Sequence, residues 1–165
     1  CFAAARKGAR LRIHVSSVAS IRTLMPADGP PAAALLEAAG FRGWTTVVLT
    51  AGETHQRLIR VVGPTGCPFG VIIAQSVVDE GELLAVVVAD THRRKGHGRR
   101  LVQTVLERMV ERGVRHLFLE VRLGNRAAQR MYAQLGFEVS GRRAGFYGDE
   151  DALIMTAAIG DQAQG

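Results

Sequence analysis

Residues 82–113 of this chain read ELLAVVVADTHRRKGHGRRLVQTVLERMVERG. The apolar run at 83–88 ends in three valines, which is typical of a strand buried on both faces. A basic segment with two glycines follows, and apolar residues then recur at helical spacing: Leu101, Val102, Val105, Leu106, Met109 and Val110. Gly113 stands where a glycine commonly ends a helix. The stretch therefore predicts a strand, a glycine loop and a long amphipathic helix.

A strand that runs through glycines into a helix N-terminus is a candidate anion site. The first turn of a helix has free N–H groups and a dipole that favours negative charge. Glycines let the backbone approach a phosphate closely. Five cations add the complementary charge: Arg93, Arg94, Lys95, Arg99 and Arg100. We interpret the segment as a pyrophosphate-binding loop rather than as a solvated turn with a run of surface charge.

Two common nucleotide motifs do not match this loop. A P-loop ends in Gly-Lys-Ser/Thr, which is absent here. The dinucleotide fingerprint needs a third glycine where Leu101 stands, and seven residues separate Val88 from Gly96, too many for its tight first turn. Glu120 ends the next predicted strand, roughly where a ribose-binding acid would lie. A nicotinamide nucleotide is therefore the less favoured ligand.

Two further polar residues stand within apolar patterns. Glu120 interrupts the strand-like run at 115–122, and a buried carboxylate is costly unless it is paired or used in chemistry. It could form an ion pair with Arg122 or another arginine, or it could act as a general base. Tyr132 lies on the apolar face of a predicted helix, where by pattern alone it is a core residue. Asn125 is placed to cap that helix.

The composition describes an ordinary globular chain. Its 165 residues suit one domain, with 47% hydrophobic and 22% charged residues. The net charge of +6 favours anionic ligands or nucleic acid. Cys1 and Cys67 make no disulfide framework, so we expect a reducing, cytoplasmic location. No apolar run approaches the roughly 18 residues of a membrane span, and no Cys/His cluster has metal-ligand spacing.

We divide the chain into an N-terminal extension or remnant at 1–19, expected to be extended or loosely docked, a single domain at 20–159 and a polar tail at 160–165. Strands are predicted at 21–25, 57–62, 69–77, 137–143 and 151–158, and a short helix at 32–39 with Asp28 as its possible cap. Residues 45–54 are strand-like by propensity. Cys67 lies in a predicted turn without a base beside it, so we expect a structural role.

Several motifs resemble those of one enzyme family. Residues 93–98, RRKGHG, resemble the Q/R-x-x-G-x-G/A motif of the GNAT acetyltransferase superfamily. Residues 119–128, LEVRLGNRAA, with Met131-Tyr132 and the LGF at 135–137, resemble the RimI-type branch of bacterial ribosomal-protein alanine N-acetyltransferases. The resemblance extends from about residue 70 to residue 159, over half of the chain.

The resemblance implies a fold and a site. The fold would be the α/β GNAT fold, a central mixed, mostly antiparallel twisted sheet with helices on both faces, and residues 45–54 would hold a second helix. Acetyl-CoA would be the cosubstrate, without a metal or an acyl-enzyme. Glu120 would be the general base, and Tyr132 would protonate the departing thiolate. The cosubstrate would be held by Val86, Val87, Val88, Arg93, Arg94, Lys95, Gly96, His97, Gly98, Arg99 and Asn125.

The acceptor implied by the resemblance is the N-terminal α-amine of a protein, with ribosomal proteins as candidates. A small amine or a lysine side chain is an alternative acceptor. A basic RNA- or ribosome-associated module without turnover is an alternative of another class, although 5% aromatic residues are few for base stacking. We expect neither membrane association nor direct nucleic-acid binding. Whether Trp44 and Tyr147 line the acceptor groove stays open, because the segments around them depart from the family's pattern.

Overall fold

The computed structural model describes residues 19–160. The predicted extension and tail therefore lie outside the described residues, apart from Ala19 and Gly160. The strands are β1 (Ile21–Thr23), β2 (Arg57–Val62), β3 (Gly70–Val77), β4 (Glu80–Val88), β5 (His116–Arg122), β6 (Glu138–Arg143) and β7 (Ala152–Ala158). The α-helices are α1 (Gly29–Ala38), α2 (Thr46–Thr50), α3 (His97–Glu111) and α4 (Arg126–Gln134).

The strands form one seven-stranded sheet in the order β1-β2-β3-β4-β5-β7-β6. The β4–β5 pair is parallel and the other pairs are antiparallel. One face of the sheet packs against α1 and α2, and the other packs against α3 and α4. The predicted fold class, a mixed, mostly antiparallel sheet with helices on both faces, is confirmed.

The sheet opens between its two central strands. β4 pairs with β5 from Glu80 opposite His116 only as far as Leu83 opposite Leu119. On its other side β4 has a bulge at Leu84, since Ala74 faces Leu83 while Ile73 faces Ala85. A bulge bends the strand that carries it. Residues 84–88 therefore leave β5, and their backbone groups on that side have no strand partner.

Asp28 stands at the N-cap position of the first helix, as expected, but its side chain does not cap that helix. α1 begins at Gly29, and the Asp28 carboxylate makes no capping hydrogen bond to it. Instead it accepts from the guanidinium of Arg22 at 2.6 and 2.9 Å, from the Met25 N–H at 2.8 Å and from the Gly66 N–H at 2.7 Å. These bonds join β1, the start of α1 and the β2–β3 turn, and they lower the pKa of Asp28 to about 2.

The helices agree with three local expectations. Residues 46–50 form a helix, as the family resemblance implied and against their strand propensity, because Leu49 packs into the core. Gly113 ends α3 with a φ of +81°, as predicted. The Asn125 side chain caps α4 by accepting from the Ala128 N–H at 3.2 Å, also as predicted.

In the described part of the chain, no helix combines the length and apolarity that crossing a membrane requires.

Candidate active site

A cavity of about 410 Å³ lies where β4 and β5 diverge. Residues 83–88 of β4 and 119–122 of β5 form its walls, and the loop after α1, the start of α4 and Tyr147 complete it. It brings together seven residues that the sequence analysis singled out: Val86, Val87, Val88, Arg93, Glu120, Asn125 and Tyr132. The unpaired edge of β4 therefore faces the same space as both predicted catalytic side chains.

Glu120 combines an ion pair with a position on the cavity wall. Its neighbours Leu119 and Val121 pack into the core beneath α3 and α4, so the alternation of the strand turns Glu120 to the other side. Its side chain is 18% exposed, and Arg143 Nη1 donates to its Oε1 at 2.8 Å. The ion pair considered from the sequence exists, but its partner is Arg143 and not Arg122, which pairs with Glu150 at 3.1 Å.

Tyr132 is almost fully enclosed beside the same cavity. Tyr132 is 7% exposed, and its ring packs edge to face against the Phe137 ring, with 5.7 Å between the ring centroids. Burial, with a smaller contribution from Tyr147, raises the pKa of Tyr132 well above that of a free phenol. The hydroxyl therefore stays protonated at neutral pH, which suits a proton donor.

The glycine loop adjoins the end of β4 but extends past the cavity wall. A Cβ added at Gly98 would lie 3.9 Å from Val88 Cγ2, so the loop passes close to the end of β4. α3 begins earlier than the loop pattern suggested, at His97. Arg93 Nε donates to the Val88 carbonyl at 3.0 Å. Lys95 Nζ donates to the Thr91 carbonyl at 3.2 Å. The other predicted loop residues, Arg94, Gly96, His97, Gly98 and Arg99, lie with Lys95 outside the cavity lining.

The loop has the donor set that a pyrophosphate requires. The N–H of Arg100 donates to the Gly96 carbonyl at 3.1 Å, the bond that closes the first turn of α3. The N–H groups of the three residues before Arg100 therefore have no acceptor within the helix. Gly96 takes a φ of +79°, which glycine adopts without strain. Cations, free amides and a left-handed glycine together fit the diphosphate of acetyl-CoA.

His97 in this loop is neutral at neutral pH. Burial lowers its pKa, and the charges of Arg100, His92 and Lys95 lower it further. Its ring packs edge to face on Phe69 at 4.9 Å, and its Nδ1 is buried without a partner among residues 19–160. Its main-chain N–H, in the first turn of α3, is a group available to an anion.

Two aromatic positions left open by the sequence are now placed. Tyr147 lines the cavity, its hydroxyl donates to the Glu120 carbonyl at 3.4 Å, and the Arg122 guanidinium lies 4.1 Å from its ring centroid. Trp44 does not line this cavity. It borders an adjoining groove of about 390 Å³, and Phe41 lines both spaces.

Sequence reasoning gave Arg143 no role, because its contact to Glu120 depends on the order of strands. Phe41 belongs to the segment around Trp44, whose place in the acceptor groove the sequence left open, and it lines the cavity. Cys67, expected to be structural, lies outside the cavity lining. Within residues 19–160, no group of three or more His, Cys, Asp or Glu side chains is arranged to hold a metal ion.

Known proteins are similar to this chain in sequence and in fold. The sequence model of the acetyltransferase (GNAT) family matches residues 26–137. The [ribosomal protein bS18]-alanine N-acetyltransferase of Escherichia coli (strain K12) is 31% identical over 144 residues, which are 85% of this chain and 97% of that protein.

Solved structures agree with the sequence matches. The crystal structure of the ribosomal-protein-S18-alanine N-acetyltransferase from Escherichia coli superposes with a TM-score of 0.74 at 30% identity, covering 86% of this chain and 94% of that one. Ard1 from Thermoplasma volcanium has a TM-score of 0.73 at 22% identity, covering 85% and 97%, and shows the fold alone. The enzyme predicted from the sequence is therefore favoured over a non-catalytic RNA-associated module. Because the family match covers more than half of its length, this chain belongs to the GNAT family and is an acetyl-CoA-dependent N-acetyltransferase.

Proposed function

We propose that this enzyme acetylates the N-terminal α-amine of a protein, and that its acceptor is a ribosomal protein that begins with alanine. The alignment with the Escherichia coli enzyme over 85% of the chain supports this acceptor. A ribosomal acceptor also supports a cytoplasmic location. The proposal treats residues 20–159 as one catalytic domain.

The observation that carries the proposal is the shared cavity of Glu120, Tyr132 and the unpaired edge of β4. A carboxylate and a protonated phenol in one enclosed space provide a base and an acid for the same reaction. A free N–H on β4 would polarise the thioester carbonyl, as in an oxyanion hole. Residues 93–99, together with Asn125, would hold the rest of acetyl-CoA.

The chemistry is one direct transfer. The acceptor nitrogen attacks the acetyl carbonyl carbon, an N–C bond forms and the C–S bond to CoA breaks. Glu120 takes the proton that the amine loses, directly or through a water. The departing thiolate takes the hydroxyl proton of Tyr132, and solvent then exchanges protons with both side chains. No covalent enzyme intermediate is needed.

A single carboxylate base favours an α-amine over a lysine side chain. An α-amino group has an ordinary pKa of about 7.7–8.0, whereas lysine has one of about 10.4. At neutral pH a useful fraction of α-amine is therefore already uncharged. The pKa of a lysine ammonium is more than about two units above that of an α-ammonium, so removing its proton costs about 3 kcal/mol more.

The test uses two peptides incubated separately with the enzyme and acetyl-CoA, followed by mass spectrometry. One peptide has a free N-terminal alanine and no lysine, and the other has a blocked N-terminus and one internal lysine. With the wild-type enzyme we expect the mass of the first peptide alone to rise by about 42 Da, the mass of the C2H2O that acetylation adds. With Glu120→Gln we expect this increase to be lost. Modification of the second peptide alone would overturn the proposal in favour of a lysine or small-amine acceptor.

A further inference from the structure

Arg143 reaches the proposed base from two strands away. In the register of the sheet, Ala152 of β7 lies between Arg122 of β5 and Arg143 of β6. Glu120 lies opposite Ile154, two residues further along β7, so Arg143 approaches it diagonally across that strand. The contact joins Nη1 to Oε1 at 2.8 Å, the length of a charge-assisted hydrogen bond.

The guanidinium approaches the carboxylate from outside the cavity. Glu120 lines the cavity and is 18% exposed, whereas Arg143 is absent from the lining and is 58% exposed. Arg143 therefore does not occupy the space that an acceptor amine would enter. Its contact engages Oε1, and Oε2 makes no hydrogen bond within residues 19–160.

Further contacts fix the segment that carries Arg143. The Arg143 guanidinium lies over the Phe146 ring, 4.3 Å from its centroid. Further along the β6–β7 connection, Glu150 accepts from the Gly124 N–H at 2.6 Å and pairs with Arg122. This connection is thus tied back to the end of β5, which sets the position of the guanidinium relative to Glu120.

We propose that Arg143 is a positioning residue for the transfer reaction. By holding Oε1 of Glu120, it fixes the carboxylate so that Oε2 is available to the incoming amine or its water. A base is efficient only within about 2.6–3.2 Å of the proton that it removes, so a freely rotating carboxylate would lose rate. The inference rests on the proposed role of Glu120.

The neighbouring Arg142 provides a matched control. It is 60% exposed, close to the 58% of Arg143, and it also pairs with a carboxylate, that of Asp151, at 2.5 Å. Because side chains alternate along β6, it projects from the opposite face of the strand. Arg142→Gln removes the same charge from the same strand without touching Glu120.

The experiment measures kcat and KM for the alanine-starting peptide and acetyl-CoA. We expect Arg143→Gln to lower kcat by roughly tenfold, because the base is held less well. The KM for acetyl-CoA should stay unchanged, Arg143→Lys should recover part of kcat, and Arg142→Gln should match the wild type. In a Glu120→Gln background, Arg143→Gln should have no further effect, since both changes act on one group.

The inference is overturned if Arg143→Gln behaves like Arg142→Gln, if it lowers kcat equally in the Glu120→Gln background, or if it raises kcat. The last result would show a guanidinium that blocks the base. If circular dichroism shows that Arg143→Gln does not fold, kcat is compared between Arg143→Lys and Arg142→Lys instead. An equal kcat in these two variants would overturn the inference. If the wild type acetylates no peptide α-amine, the proposed function itself fails. If the wild type does acetylate the α-amine, but the effects of Glu120→Gln and Arg143→Gln on kcat are additive in the double variant, only this inference fails.

Discussion

Glu120 and Tyr132 share a cavity but have different surroundings. Glu120 has a guanidinium 2.8 Å from one oxygen, an environment that suits an anion. Tyr132 is packed against Phe137, and burial keeps its phenol protonated. The cavity therefore holds an ion-paired carboxylate as the proposed base and a phenol that keeps its proton as the proposed acid.

Tyr132→Phe should slow turnover without weakening the fold. Phenylalanine keeps the ring contact with Phe137 but has no proton to give, so we expect kcat to fall by roughly 10- to 100-fold. The free energy of unfolding should change by less than about 1 kcal/mol. Release of the CoA thiol, followed with a thiol-reactive dye, measures the rate. A wild-type kcat in this variant would remove Tyr132 from the chemistry.

The sequence marks Glu120 but not its partner. A carboxylate in an apolar strand is visible in the local pattern, and Arg122 is the arginine that the pattern offers. Arg143 lies 23 residues further on and comes into contact only because β7 lies between β5 and β6. Asp28 is a similar case, since one of its donors, the Gly66 N–H, lies 38 residues away.

At the scale of elements, the bonds of Asp28 connect three segments: β1, the start of α1 and the β2–β3 turn. Its carboxylate is fully buried and receives the Arg22 guanidinium and two main-chain N–H groups. Hydrogen bonds to the charged form lower the pKa of Asp28 to about 2, from an ordinary value of 3.8. The shift is therefore a contribution to folding stability that depends on pH.

Asp28→Asn should destabilise the protein at neutral pH by about 2 kcal/mol. Because the folded pKa lies below the unfolded one, this stability is fully present above the unfolded pKa and is lost as pH falls toward 2. The free energies of unfolding of the wild type and Asp28→Asn, measured with urea, should therefore differ by a constant amount from pH 5 to 7 and by less at pH 3. The exposed Asp149→Asn is the control. An equal difference at every pH would contradict the ionic origin of the effect.

Gly96→Ala should weaken acetyl-CoA binding through the backbone alone. Gly96 has a φ of +79°, and a Cβ there would meet nothing within 4 Å. The left-handed conformation costs alanine about 1–2 kcal/mol, so we expect the Kd measured by calorimetry to rise about 5- to 30-fold.

Gly113→Ala is the matched control for this change. Gly113 has a φ of +81° at the other end of α3, also with open space around it. It should lose a similar free energy of unfolding while keeping the wild-type Kd. Equal weakening of acetyl-CoA binding by the two variants would show that the glycine loop is not the anion site.

Elements with strong local signals are predictable, and those that depend on packing are not. α3 follows from its apolar spacing and its terminal glycine. Thr45, Thr46, Val47 and Val48 favour a strand, but the burial of Leu49 decides for a helix. The start of α1 was predicted too late, because the prolines at 30 and 31 suggest a turn although proline is well tolerated in a first helical turn.

At the scale of the whole molecule, the site arises from one local defect in a continuous sheet. The bulge at Leu84 and the end of the β4–β5 pairing at Leu83 separate two central strands, and the cavity occupies the gap. Strand order brings Glu120 on β5, the proposed base, and Tyr132 on α4, the proposed acid, to the lining of this cavity. No local sequence pattern specifies this order, so it was available beforehand only through family resemblance.

The most direct test of the account places both kinds of amine in one molecule. A peptide with a free N-terminal alanine and one internal lysine is incubated with the wild-type enzyme and acetyl-CoA at pH 7.5, and tandem mass spectrometry locates the acetyl group at low conversion. We predict acetylation of the α-nitrogen, with the lysine unmodified. Acetylation of the lysine in preference to the α-amine would contradict the proposed function.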